Sequence, residues 1–302
     1  MLGMGGGGDV VGALATAELM RLYDGAEPVL GGLAWERRPI DPVPGPRSAA
    51  EIEDADELAP GILLAGPRTR AKGREMFFAE SRMAEFLDQS TVLVTLDGGP
   101  GQVAEGLAQT AAKLDADLVV FVDVGGDVLA RGDEPGLRSP LCDALMLAAA
   151  ARLAGDGRSV LAGVFGIGCD AELTPDEVLD RLSAVAAAAG LCGARGLTSA
   201  VADRLEAATK LVPTEASATA VRAFRGESGT MTIRGGTRTV ELSVVASTTF
   251  YLDVEATVQV CARLAGAVAD AQSVEQANDA LRAIGVRTEL DLEREAVSAR
   301  GH

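Results

Sequence analysis

The segment from Leu118 to Leu147, LVVFVDVGGDVLARGDEPGLRSPLCDALML, constrains this chain more than any other. It opens with β-branched and aromatic residues, Leu118 to Val122, and turns abruptly into glycines and carboxylates. A short apolar run bounded by glycines predicts a buried strand, and Ser139-Pro140 ahead of an apolar-periodic stretch predicts a helix with proline in its first turn. Asp123, Asp127, Asp133, Glu134 and Asp143 then fall on one connection. In an open parallel α/β sheet such a connection leaves the carboxyl end of a strand, which is where ligands bind.

Other segments repeat the pattern. Met1 to Asp9 reads as a short strand running into a glycine loop, with Val10 to Tyr23 helical behind it. Pro28 to Ala34 predicts a second strand, ending in Trp35-Glu36-Arg37-Arg38-Pro39. Residues 40–58 are rich in proline and acids and read as a long surface connection, a candidate lid. Gly61 to Ala65 predicts a strand, followed by a basic segment with Arg68, Arg70, Lys72 and Arg74, which is either an anion site or a solvated charge run. Strands are predicted at Thr91 to Leu96 and Ser159 to Phe165, with a helix from Gln102 to Leu114 and a capping box at Thr174 and Glu177. Further on, Leu197 to Phe224 reads as helical, Thr230 to Ile233 and Thr239 to Val245 as a hairpin, and Asp253 to Ala271 and Val274 to Ile284 as helices.

The expected architecture is a doubly wound, mostly parallel, Rossmann-like α/β sheet with a C-terminal hairpin and helices. Its strands lie near Leu30, Leu63, Leu93, Val120 and Leu161, with helices on both faces. No linker marks a boundary, so residues 1–302 are read as a single α/β domain. Residues 1–196 form the sheet core with its ligand loops, and residues 197–302 form helices and a hairpin, a candidate subdomain.

At 302 residues and 48% hydrophobic content the chain can bury one large core. A net charge of −17, from 44 acidic against 27 basic residues, disfavours nucleic acid and anionic membranes as partners. No window approaches a membrane span, and the start, MLGMGGGGD, lacks a charged leader, so a cytoplasmic protein with a small-molecule ligand is expected, with a homo-oligomer left open. Cys142, Cys169, Cys192 and Cys261 form no CxxC pair and read as free thiols. The sole histidine is His302, at a terminus expected to fray. That excludes histidine triads and histidine-ligated metals, leaving acid-base chemistry to carboxylates above all.

Four predicted strand ends share a glycine turn with an aspartate: Gly5-Gly6-Gly7-Gly8-Asp9, Asp97-Gly98-Gly99-Pro100-Gly101, Asp123-Val124-Gly125-Gly126-Asp127 and Gly166-Ile167-Gly168-Cys169-Asp170. Parallel strands would bring all four to one sheet edge and one pocket. Asp123 and Asp127 are the first candidates for general acid or base, and Asp143 and Glu134 the second. Asp9, Asp97, Asp170, Ser139 and the glycine amides of those turns are the candidate ligand contacts. Helix capping and loop hydrogen bonds are the alternative role of the carboxylates, and N-capping that of Ser139. So many acids need compensation, from Arg131 and Arg138, from ligand hydroxyls, or from Mg²⁺ or Ca²⁺ in the absence of histidine. Cys142, in a first helical turn, is either an activated thiol or a small buried side chain.

The leading expectation is an enzyme acting on a small polar metabolite, a nucleotide, nucleoside or sugar-like compound. An alternative is an NAD(P)- or flavin-dependent oxidoreductase, in which Gly3, Gly5 and Gly8 form GxGxxG and Glu36 contacts a ribose. A non-catalytic ligand-binding protein is the third reading.

The stretches GGGGDVVGAL at Gly5 to Leu14 and DVGGDVLARGDEPGLRSPLCDALML at Asp123 to Leu147 resemble a prokaryotic conserved-domain family of unknown function. Its members share a GGGGDVVGAL-like start and a DxGGDxLxxGDExxLxSPLxDA block, and GIGCDAELT at Gly166 to Thr174 is similar too. The resemblance implies the fold and the importance of these loops, and it implies no reaction.

Overall fold

The computed structural model describes residues 1–299. The first part of the chain forms β1 (Leu2–Gly3), α1 (Asp9–Asp24), β2 (Gly31–Leu33), β3 (Ile52–Ala59), β4 (Ile62–Ala71), α2 (Ala79–Leu87), β5 (Thr91–Val94) and α3 (Gly99–Lys113). The middle forms β6 (Val119–Val124), α4 (Pro140–Gly155), β7 (Val160–Phe165), α5 (Pro175–Ala187) and β8 (Leu191–Gly196). Then come α6 (Ser199–Leu211), α7 (Glu215–Phe224), β9 (Gly229–Ile233), β10 (Arg238–Leu242), β11 (Thr248–Asp253), α8 (Val254–Val260), α9 (Arg263–Val268), α10 (Val274–Ala283) and α11 (Glu289–Ser298). His302 lies outside the described residues.

A nine-stranded sheet runs in the order β3-β4-β5-β2-β1-β6-β7-β11-β8, and β9 pairs with β10 as a separate antiparallel hairpin. The central pairs β5-β2, β2-β1, β1-β6 and β6-β7 are parallel, as the apolar runs predict. Helices cover both faces. Along β6 the side chains alternate: Val120, Val122 and Val124 pack in one core with α1, α6 and α7, while Phe121 packs in the other with α3 and α4. Burial on both faces is why these strands lack a polar side.

Several expectations change at the periphery. The strand near Leu63 runs antiparallel to β5, and it also pairs antiparallel with β3, to which Pro60-Gly61 joins it by a connection so short that it can only return the chain as a hairpin. The segment read as a surface connection therefore contains β3. Arg68 and Arg70 continue β4, with Lys72 and Arg74 just beyond it, and Arg70 pairs with Glu53 at 2.8 Å and Asp54 at 3.0 Å, so the Arg70 charge is matched across the hairpin. The helix predicted from Asp253 to Ala271 is divided into α8 and α9. Beyond residue 196, β11 enters the main sheet between β7 and β8, antiparallel to both.

From β1 the chain steps outward to β2 and later β5 on one side, whereas β6 and β7 lie on the other. The order reverses between β1 and β6, and a crevice opens there at the carboxyl ends. α4, buried from Pro140 to Ala150, lies on the face shared with α3 and α9 and points its N-terminus toward that crevice. Among the described residues no helix is long and apolar enough to cross a membrane.

Candidate functional site

The turn after β1, the turns after β6 and β7, and the N-terminus of α4 meet in one cleft of about 580 Å³. Gly5 to Asp9 form one wall, Asp127, Asp170 and Glu172 a second, and Ser139 and Asp143 a third. The β9-β10 hairpin contributes Arg234, Thr237 and Arg238, and α11 contributes Glu289 and Glu293. Asp123 lies behind this surface, fully buried.

Backbone amides hold several carboxylates in place. Asp9 Oδ2 accepts the Gly5 N–H at 2.9 Å, and Asp123 Oδ2 accepts the Gly126 N–H at 2.7 Å. Gly126 can close that turn because its φ of 114° suits only glycine. A Cβ on Gly125 would stand 2.3 Å from the Asp170 carboxyl carbon, so the Asp123 turn and the Asp170 turn can touch only where a side chain is missing. Glu172 accepts the N–H groups of Arg138 at 2.6 Å and Ser139 at 2.8 Å, the Ser139 hydroxyl at 2.6 Å, and the Arg238 guanidinium at 3.4 Å. Glu289 accepts the N–H groups of Leu141 and Cys142, both at 2.9 Å, and so caps α4 from another helix.

Two oxygens are different. Asp123 Oδ1 and Asp143 Oδ1 are buried and have no hydrogen-bond partner among the described residues. Asp9, Asp123 and Asp143 each offer an oxygen within 4.8 Å of the others, and Asp127, Asp170 and Glu172 form a second such group. Burial, followed by the charge of Asp123, holds Asp9 well above the usual carboxylate range, against the Gly5 hydrogen bond and the opposing pull of Arg37. Asp127, Asp143 and Asp170 are also pushed well up, by burial first and then by neighbouring carboxylates. Asp123 is pushed up to about 6 by burial, against the Asp127 and Gly126 hydrogen bonds.

A family model described as "Protein of unknown function (DUF1152)" matches residues 1–297. The chain belongs to the DUF1152 family. No curated protein and no solved structure matches it.

In this DUF1152 chain several residues singled out from sequence lie away from the cleft. Asp97 is exposed after β5, accepting the Thr95 hydroxyl at 3.0 Å and the Ala49 N–H at 3.2 Å, and a Cβ on Gly99 would meet Ala271 O at 2.2 Å. Asp97, Gly98 and Gly99 are excluded because β2 separates β5 from β1, placing their turn about 10 Å from the crevice. Glu134 accepts the N–H groups of Arg131 and Gly132, both at 2.8 Å. Burial pushes that carboxyl up, but these amides and Arg181 outweigh it and leave Glu134 below its ordinary value, the mark of a loop clamp. Gly168 packs against Pro175. Ser139 occupies the N-cap position, but its hydroxyl serves Glu172 while Glu289 does the capping. Cys142 is fully buried, and burial pushes its thiol well up despite Arg37, so it is not an activated nucleophile.

Glu36 lines the cleft but turns inward: Oε1 accepts the Ala79 N–H at 2.5 Å, and burial pushes the carboxyl up to about 7. Glu80, beside it, is buried with neither oxygen partnered among the described residues, and it fills the space a Cβ on Gly32 would need. Glu36 thus stands in the lining of the cleft with Oε1 committed to the Ala79 amide.

The residues that sequence reasoning missed are Arg37, Glu172, Glu289 and Glu293. Arg37 Nη2 donates to Gly5 O at 2.7 Å and pairs with Glu289 at 3.3 Å, and its guanidinium lies over the Trp35 ring. Glu172 sits inside the GIGCDAELT stretch and was the legible one. Arg138 lines the cleft as expected, Arg37 and Arg238 add ion pairs to Glu289 and Glu172, and Arg131 does not line it.

Proposed function

We propose that this chain is an enzyme acting on a small polar metabolite of nucleotide, nucleoside or sugar-like kind. The observation that carries this reading is the convergence of acids from three adjacent strand ends on one cleft that also carries Arg37, Arg38, Arg138, Arg234 and Arg238. A ligand with an anionic group and several hydroxyls matches that mixture: guanidiniums take the anion, and carboxylates accept from hydroxyls.

Asp127 is the residue assigned as general acid or base. It lines the cleft, it is only 5% exposed, Asp143 lines the cleft with it, and Asp123 is buried behind. Like charges packed together cannot all ionise, so one of them carries a proton near neutral pH and can deliver it to a reacting oxygen. Ser139 is no nucleophile here, because its hydroxyl already donates to Glu172.

The test is thermal denaturation with nucleotides, nucleosides and sugar phosphates, followed by turnover assays on whatever stabilises the protein. A ligand at 100 times its dissociation constant adds about 2.7 kcal/mol. Asp127→Asn is expected to retain the stabilisation and lose turnover. No stabilisation by any of the three classes would sink the reading.

A further inference from the structure

We infer that Asp9, Asp123 and Asp143 together bind one hard divalent cation of the Mg²⁺, Mn²⁺ or Ca²⁺ class. Three independent elements supply the donors: the first residue of α1, the end of β6 and the first turn of α4. Their oxygens lie within 4.8 Å of one another. Oxygens opposite one another on Ca²⁺ stand about 5 Å apart, and on Mg²⁺ about 4 Å, from the usual metal-oxygen distances. Three donors cannot all lie opposite one another, so oxygens within 4.8 Å of one another are placed to share one such cation.

Acidic clusters are common without a cation, and two further features separate this one from them. Asp123 Oδ1 and Asp143 Oδ1 have no partner among the described residues, although the two side chains belong to residues 0% and 2% exposed. Buried acceptors left bare cost free energy that a bound cation would return. The second feature is Gly5, where a Cβ would stand 2.6 Å from Asp9 Oδ2 and 3.5 Å from Asp143 Oδ1. The absence of a side chain keeps open the space between those two carboxylates.

The other trio serves as a contrast. Glu172 is saturated by Ser139, Arg138 and Arg238, and Asp170 Oδ1 accepts the Glu172 N–H at 3.1 Å, so that group is tied into the loops. With oxygen donors alone, and with the Cys142 thiol directed to Arg37, the Asp9 trio selects hard cations over zinc. A cation there would offer its open positions to ligand oxygens entering the cleft. The inference rests on the reading of this cleft as a ligand site, yet the two can fail separately.

The experiment is calorimetric and electron-paramagnetic titration of the chelator-stripped protein with Mn²⁺, repeated with Mg²⁺ and Ca²⁺. One Mn²⁺ per chain is expected, with affinity lowered at least tenfold in Asp9→Asn and in Asp143→Asn and unchanged in Asp97→Asn. Absence of binding at millimolar Mn²⁺, or binding unaltered in both Asn variants, would overturn the site. If those variants do not fold, wild-type protein still decides. Trp35, the one tryptophan, accepts the Gly7 N–H at 3.0 Å through its carbonyl, and bound Mn²⁺ should quench its fluorescence with saturation at one equivalent. No saturable quenching overturns the proposal. A metabolite that stabilises a protein in which no Mn²⁺ binds overturns the cation site while leaving the cleft's enzymatic reading intact. One bound Mn²⁺ without response to any metabolite supports the site and sinks the other reading.

Discussion

Glu289 and Cys142 are bonded across 147 residues of chain: the carboxylate on α11 accepts the Cys142 N–H at 2.9 Å at the start of α4. Its other oxygen takes the Leu141 N–H, also at 2.9 Å. The N-terminus of a helix leaves such donors without intrahelical partners, and here they are buried away from water. Removing Glu289 exposes both to the desolvation cost at once. Glu289→Ala is expected to lose about 3 kcal/mol, and Glu289→Gln, with one acceptor oxygen in place of two, roughly half of that. Urea unfolding measures both, and equal losses for the two variants would contradict the capping role.

Gly5 offers a test of the cleft that leaves the core alone. Its φ is not positive, so alanine is compatible with the backbone, but the new Cβ would press on Asp9 Oδ2 at 2.6 Å. Gly5→Ala should cost about 1–3 kcal/mol, as the Asp9 carboxylate is displaced, while weakening Mn²⁺ or ligand response at least tenfold. Gly66→Ala is the control, because a Cβ there meets nothing within 4 Å. A Gly5→Ala protein with wild-type ligand response would show that the space beside Asp9 is not used.

The glycine-aspartate turns were legible because their grammar is local. Glycines at positive φ and aspartates at strand ends can be read without knowing what lies across the sheet. Which turns meet is a matter of strand order, and no local pattern encodes that β2 lies between β5 and β1, so Asp97 was grouped with acids it does not reach. Glu134 was misread for the opposite reason. It sits in the same acidic loop as Asp127, but the amides of Arg131 and Gly132 claim its carboxylate. Glu289 and Glu293 belong to an acidic surface-like helix whose sequence looks like any solvated one, and their partners lie more than 140 residues away. The strands β8 and β11 were also missed, being short and only partly apolar at the antiparallel end of the sheet.

Glu36 predicts a pH dependence of stability. Burial raises its carboxyl from 4.5 to about 7, so between these values the folded chain holds a proton that the unfolded chain has released. Stability therefore falls as pH rises through that window, and the loss is complete above about 7. Glu36→Gln removes the titration and keeps an acceptor for the Ala79 N–H. The variant should match wild type near pH 4 and exceed it above neutrality, by on the order of 3 kcal/mol. Glu80, raised by burial and by Glu36, acts in the same direction. Chemical denaturation at pH 4.5, 6 and 8 measures the difference, and a gap between variant and wild type that does not widen with pH would remove Glu36 as its source.

Glu172 and Asp97 make the sharpest pair for separating the acids that build the cleft from those outside it. Glu172 joins two turns, accepting from the Arg138 and Ser139 amides, the Ser139 hydroxyl and Arg238. It is 5% exposed, whereas Asp97 is exposed and accepts only from Thr95 and Ala49. Charge-assisted bonds in a buried setting contribute far more than the same bonds at the surface. Glu172→Ala should therefore cost about 3 kcal/mol or more and loosen the Ser139 turn that leads into α4, lowering ligand response through the displaced Asp143. Asp97→Ala should cost less than about 1 kcal/mol and leave ligand response as in wild type. Unfolding curves and Mn²⁺ titrations of both variants give the comparison. Loss of ligand response in Asp97→Ala, or its full retention in Glu172→Ala, would mean that the cleft is organised around a different set of acids.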